Sequence, residues 1–180
     1  LFKNCSKNIV IFKTYYKYTI IGGVFVSKRE DYYTFNEYMK NNKLTPSEED
    51  YIEMIYRLNL ENDKVQVKDI SKKLNIKPPS VTKMIKKLND KNMLIYKKYD
   101  SIELTSLGES VGAKLLSRHN TIKEFLTILG INESIHEETE TIEHTINVET
   151  LIKIEELINF FRSNEDVLSK LKSYQEENKN

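Results

Sequence analysis

Glu140, Glu143 and His144 stand at i, i+3 and i+4 in the run Glu140-Thr141-Ile142-Glu143-His144. On a helix this spacing puts all three on one face, within one turn of each other. Two carboxylates and an imidazole converging on one spot repel unless something positive lies between them, and a divalent cation is the usual answer. A solvated acidic helix face that carries a histidine would use the same residues, and the segment alone favours that blander reading. Asp50 and Glu53 form a second acidic pair near the start of an earlier helix, where dipole-stabilised surface carboxylates are common. His119 sits midway along a long helix, where a histidine is more often structural than a ligand. His136, one turn before Glu140, is expected at the surface.

The elements that must position these groups are legible from Leu44 onward. Thr45-Pro46-Ser47-Glu48 is a capping box with proline at the first helical position. The helix it opens runs to about Leu60, with Tyr51, Ile52, Ile55 and Leu58 on its apolar face and Asp50 and Glu53 on another. Residues 67–75 predict a short helix, Asn75-Ile76-Lys77 a turn, and Pro78-Pro79 the start of a second helix to about Lys91. Ser80, Thr82, Lys83, Lys86 and Lys87 face outward from it. Leu94-Ile95-Tyr96 and Ile102-Glu103-Leu104 flank a polar turn and predict a β-hairpin, a wing that carries Lys97 and Lys98. Helix, turn, lysine-studded helix and hairpin in that order is a winged helix-turn-helix, which reads DNA.

A long helix follows from about Ser106 to Leu129, closed by Gly130, with a stripe of Leu107, Val111, Leu115, Ile122, Leu126 and Leu129. The acidic helix spans about Glu133 to Thr145. Asn147 caps another, to about Phe161. Its stripe of Leu151, Ile154, Ile158 and Phe161 is widened by Ile152, Leu157 and Phe160, more apolar surface than a small helical domain can bury. A dimer interface is the expected cover. From Glu165 a short, fraying helix is expected.

Charge follows the same division. The 180-residue chain has a formal net charge of +1, but the charge is unevenly spread. Lys68, Lys72, Lys73, Lys77, Lys83, Lys86, Lys87, Lys91, Lys97 and Lys98 face only Asp69, Asp90 and Asp100 between residues 67 and 100, whereas glutamate dominates residues 131–180. A polyanion suits the first part, a cation or protein partner the second. Cys5 is the single cysteine, so neither an intrachain disulfide nor a thiolate cluster can form, as fits a reducing cytoplasm. Ile9 to Val26 is apolar and aromatic but interrupted by Lys13 and Lys17, too short and too charged for a membrane span. A signal peptide is weakly supported. Met39 is the first methionine, and residues 1–38 are expected to be a non-native or disordered extension.

Thr45-Pro46-Ser47-Glu48-Glu49-Asp50-Tyr51-Ile52-Glu53-Met54-Ile55-Tyr56 resembles the opening of proteins in the manganese-responsive branch of the DtxR family of metal-dependent repressors. So do Pro79-Ser80-Val81-Thr82-Lys83-Met84, Leu94-Ile95-Tyr96, Arg118-His119 and Ile142-Glu143-His144. The resemblance covers about residues 44–162, with one residue missing just after Gly130. It implies a mainly α protein: a winged helix-turn-helix over 39–105, a connecting helix over 106–130, and an all-helical metal-binding and dimerisation domain over 131–180. It also implies two Mn²⁺ per subunit, with Asp50, Glu53, His119, Glu140, Glu143 and His144 as ligands. Iron-responsive relatives have methionine in place of Asp50 and cysteine in place of Glu140, and hard carboxylate oxygens suit Mn²⁺ better than those soft ligands do. The expected partners are a double-stranded DNA operator and a second copy of the chain, with no membrane, and the genes repressed are those for manganese uptake.

Three other readings use the same residues. One is a metal-independent, MarR-like winged-helix regulator; another is an iron-responsive repressor of the DtxR type. The third is a binuclear manganese hydrolase, against which the ligands straddle two modules and no further general base is evident, so no enzyme is expected. A protein comprising residues 39–180 should fold, dimerise and bind DNA as the full chain does. Light scattering and a DNA-binding titration check this, and insolubility or the absence of metal-dependent binding would refute the start at Met39.

Overall fold

Three short signals set the DNA-binding half: a capped first helix, a left-handed asparagine and a two-stranded wing. A computed structural model describes residues 20–21, 24–25, 44–62, 64–96 and 101–178. The first described strands, β1 (Ile20–Ile21) and β2 (Val24–Phe25), pair antiparallel. The expectation of a non-native or disordered extension otherwise lies outside the described residues.

Helix α1 (Pro46–Glu61) opens on the full capping box. The Glu48 carboxylate accepts from the Thr45 amide at 2.7 Å, and Thr45 Oγ1 accepts from the Glu48 amide at 3.4 Å. Helix α2 (Val67–Leu74) ends at Asn75, whose φ of 54° gives the tight left-handed turn. Ser71 Oγ closes that turn by donating to the Ile76 carbonyl at 2.6 Å. Helix α3 (Pro78–Asp90) follows, with Val81, Ile85 and Leu88 buried. Strands β3 (Leu94–Tyr96) and β4 (Ile102–Leu104) pair antiparallel in the register Leu94↔Leu104 and Tyr96↔Ile102. Lys97, Lys98 and most of the turn between these strands lie outside the described residues. Side chains from α1, α2, α3 and the wing share one core with Val111 and Leu115.

Helix α4 (Ser106–Ile128) belongs to two cores. Val111 and Leu115 lie in the first, whereas Ile122 and Leu126 join Leu151 in the second. His119 falls between those pairs and is buried. Two glycines set how closely α4 approaches the DNA-binding half. A Cβ on Gly108 would stand 1.9 Å from the Met93 carbonyl oxygen, and one on Gly112 would stand 2.6 Å from Tyr56 Cβ. Leu107 and Leu129, expected in the inward stripe, are instead exposed. Leu129 lies past the last residue of α4, where the helical period no longer sets its direction.

The acidic helix α5 (Ile135–Glu143) is shorter than expected, and His144 is its C-cap, still in the αR region. Asn147 caps α6 (Val148–Ser163) by accepting from the Thr150 amide at 2.8 Å. The expected fraying tail is a regular helix, α7 (Glu165–Glu177). Its acidic first turn favours the helix dipole. Gln175 ties its far end back by donating to the Ile128 carbonyl at 3.0 Å. Leu157 and Phe160 on α6 remain exposed in the single chain.

Gly112→Ala tests the close approach of α4 to α1. Alanine is intrinsically better in a helix by about 1 kcal/mol, but the clash with Tyr56 should outweigh it and destabilise the protein by about 1–3 kcal/mol. Urea unfolding measures the difference. A stabilised variant would mean that the two helices are not held this closely.

Candidate metal centre

The centre assembles from three helices that start far apart in sequence. Asp50 and Glu53 come from α1, His119 from the middle of α4, and Glu140, Glu143 and His144 from the end of α5. Asp50, Glu140, Glu143 and His144 each bring a donor atom within 4.8 Å of the others, and so do Glu53, His119 and Glu143. Glu143 belongs to both groups and is buried. One of its oxygens lies 2.9 Å from His119 Nδ1, and the other lies 3.8 Å from His144 Nε2. His144 Nε2 lies 3.0 Å from Asp50 Oδ1. His119 Nδ1 lies 3.9 Å from both Glu53 and Glu140. All six residues singled out in the sequence therefore meet, as two donor sets hinged on one shared carboxylate. His136 is exposed and belongs to neither set.

These carboxylates disfavour one another. Burial pushes the Asp50 carboxyl above its usual range, and Glu140 and Glu143 push it further, against a partial offset from His144. Burial likewise raises Glu53, and Glu143 adds to the rise against Arg57 and His119. A divalent cation among these oxygens and imidazoles removes the repulsion, and the mixed nitrogen and oxygen donors fit such an ion. Glu143, buried between two histidines, would offer a donor to a cation held by either set.

Three residues around the centre escaped the sequence reading. Glu49 accepts from Arg118 at 2.6 Å and faces His144 Nδ1 at 3.3 Å. His144 thus holds one ring nitrogen against Glu49 while the other points into the donor set. A carboxylate on the far nitrogen fixes the tautomer that leaves the near one free to bind. Arg57 pairs with Glu53 from one turn further along α1. The only signal in the sequence was adjacency: Glu49 precedes Asp50 and Arg118 precedes His119. Surface charges look the same until the fold buries them.

In the DNA-binding half, Ser80, Lys83, Lys86 and Lys87 are exposed along α3. Thr82 is half-buried, and its hydroxyl donates back to the Pro78 carbonyl at 3.0 Å. The Lys87 ammonium leans inward to 3.3 Å from the fully buried Glu48, which Lys91 reaches at 2.8 Å. Burial alone would raise the Glu48 pKa, but hydrogen bonds from Lys91, Thr45 and Lys87 outweigh it and hold the pKa at about 2.

Comparison with known proteins gives the same division of labour. Residues 43–102 match the family model "Iron dependent repressor, N-terminal DNA binding domain", and residues 105–171 match "Iron dependent repressor, metal binding and dimerisation domain". The HTH-type transcriptional regulator MntR of Bacillus velezensis is 41% identical over 137 residues, 76% of this chain and 96% of its own length. Among solved structures, that of the manganese regulator SloR is similar at 30% identity with a TM-score of 0.57, over 65% of this chain and 55% of that one. The structure of ScaR with bound Zn²⁺ is similar at 36% identity with a TM-score of 0.54, over 63% and 54%. The chain thus spans a little over half the length of these two solved proteins.

A winged helix-turn-helix joined to a helical half with two candidate divalent-metal clusters defines a metal-dependent, DNA-binding transcriptional regulator. The chain belongs to the DtxR/MntR family of metal-dependent repressors. It binds operator DNA as a homodimer and is not an enzyme, which removes both the hydrolase and the metal-independent readings. Among the described residues, no helix is long and apolar enough to cross a membrane.

Glu49→Ala should weaken metal binding about 10- to 100-fold although both donor clusters stay complete. Glu49→Gln, which keeps an acceptor for His144, should lose less. Calorimetric titration of the metal-free protein measures both, and unchanged affinity in Glu49→Ala would show that Glu49 does not orient His144.

Proposed function

We propose that this chain is a manganese-responsive repressor of manganese uptake genes, holding two Mn²⁺ per subunit. The ligands are Asp50, Glu140, Glu143 and His144 for one ion and Glu53, His119 and Glu143, with Glu140 nearby, for the other. The observation that carries this reading is the shared Glu143, at which donors from α1, α4 and α5 converge. Every donor other than the two histidines is a carboxylate, the ligand type that suits Mn²⁺. The names of relatives support the same metal, since one is MntR and another a manganese regulator. The matched segments support a boundary near residue 105 between a DNA-binding domain over 39–105 and a connecting helix over 106–130, followed by the metal-binding and dimerisation domain over 131–180.

Asp50 and Glu53 ride on the helix that forms the core of the DNA-binding half. Glu140, Glu143 and His144 ride on the other half, and His119 on the helix between. Bound Mn²⁺ supplies the positive charge that turns mutual repulsion among these groups into attraction. The donors then hold α1 against α4 and α5 and so restrict where α3 points. A dimer must place its two recognition helices about 34 Å apart, or a multiple, to enter successive major grooves. Narrowing the ensemble toward that spacing raises DNA affinity, and by linkage DNA tightens metal binding equally. Ser80 and Thr82 are offered to base edges, with Lys83 and Lys86 on α3 and Lys97 and Lys98 on the wing as the phosphate contacts; Lys87, read from the sequence as one of this set, is engaged by Glu48.

DNA affinity measured against each metal tests this reading. Mn²⁺ should activate fully and Zn²⁺ poorly, because zinc prefers four ligands and can bind without docking every helix. The relative ScaR holds Zn²⁺ in its structure, so activation rather than binding is the discriminating measurement. Asp50→Met should let Fe²⁺ or Co²⁺ activate better. His144→Ala and Glu140→Ala should abolish activation with fold and dimer intact. Equal activation of the wild type by Zn²⁺, or a normal manganese response in His144→Ala, would overturn the proposal.

A further inference from the structure

Among the described residues the buried charged groups are Glu48, Glu53, His119 and Glu143. Three of them belong to the metal clusters, and Glu48 does not. A carboxylate without solvent must be matched by charge and hydrogen bonds, or its burial costs several kcal/mol. Each Glu48 oxygen has a separate answer. Oε2 accepts from the Thr45 amide at 2.7 Å and completes the cap of α1. Oε1 faces Lys91 Nζ at 2.8 Å and Lys87 Nζ at 3.3 Å, both carried by the last turn and C-cap of α3.

We infer that Glu48 is an internal counter-ion that positions the recognition helix and withdraws Lys87 from the lysines that neutralise DNA phosphates. By sequence, Lys83, Lys86 and Lys87 are equivalent lysines on an outward face. In the fold they divide. Lys83 and Lys86 carry no ion pair among the described residues, whereas the half-exposed Lys87 holds its ammonium 3.3 Å from Glu48 on α1. An ammonium already matched to a buried carboxylate releases few DNA counterions, because leaving would cost Glu48 one of its two ammonium partners. The Glu48–Lys87 pair also fixes α3 to the first turn of α1, two residues before Asp50. Any shift of α1 at the metal centre is then passed to the recognition helix as a rigid unit. This inference rests on α3 facing DNA and not on the identity of the metal.

The salt dependence of DNA binding separates a positioning lysine from one that neutralises a phosphate. The full chain with Mn²⁺ is titrated with a random-sequence DNA duplex over a range of salt, as wild type, Lys83→Ala, Lys87→Ala and Glu48→Gln. Lys83→Ala should flatten the plot of log affinity against log salt by about 0.9, the slope of one neutralised phosphate. Lys87→Ala should leave the slope unchanged. Glu48→Gln keeps an acceptor for the Thr45 amide but frees Lys87, and should steepen the slope by up to about 0.9 per lysine released. A merely structural Glu48 would change stability without moving any slope. Equal flattening by Lys83→Ala and Lys87→Ala overturns the inference. So does an unchanged slope in Lys83→Ala, since α3 would then not face phosphates at all. If Glu48→Gln fails to fold, the surface variant Lys87→Ala still decides.

Discussion

Everything in this structure depends on carboxylates being brought together where they repel. Glu143 is buried between two histidines, with Asp50 and Glu53 approaching from another domain and Glu140 from its own helix. Burial and like charge both push Asp50 and Glu53 toward their neutral forms. A fold selected only for stability would scatter these groups over the surface. Placing them at the seam between two cores makes their repulsion a device, because the seam is where a small change in attraction alters the relation of the halves. The family membership gives that device its purpose, the coupling of metal to operator binding.

The coupling needs stiff parts on each side of the seam. Helix α4 supplies one by lying in both cores, with His119 at the crossing point. Gly108 and Gly112 let its first turns touch the base of the wing and the flank of α1 with no side chain between. The DNA-binding half therefore grips one end of α4 while the second core grips the other. The candidate metal donors on α1 and α5 face each other across that junction.

The first turn of α1 distributes the rest. Three consecutive acidic residues take three different partners: Glu48 the lysines of α3, Glu49 the pair Arg118 and His144, and Asp50 the metal cluster. Helical geometry makes this possible, because successive residues point about 100° apart around the axis. A single turn can thus touch the recognition helix, the connecting helix and the metal centre together.

Much of this is legible in the sequence by itself. The capping box at Thr45, the turn at Asn75, the hairpin strands and the cap at Asn147 are local features, fixed by residues a few positions apart, and they stand where the sequence places them. Resemblance to a family carries Asp50, Glu53, His119, Glu140, Glu143 and His144 as one set, and the fold brings all six together. Periodicity shows only Glu140, Glu143 and His144 on a common face; nothing local joins His119 to Glu143 across 24 positions. Tertiary structure alone decides which charges are internal. The sequence shows Glu48 only as part of a capping box and Lys87 only as an outward lysine, and gives Glu49 and Arg118 no role of their own, because nothing within a few positions marks the helix each will meet. Their roles come from the packing of α1 against α3, α4 and α5. The tail helix α7 reads as fraying for a similar reason, since the bond from Gln175 to the Ile128 carbonyl spans 47 positions and leaves no local trace. Local chemistry writes caps and turns into the sequence, whereas the partner of a buried charge is set by whatever helix the fold lays against it.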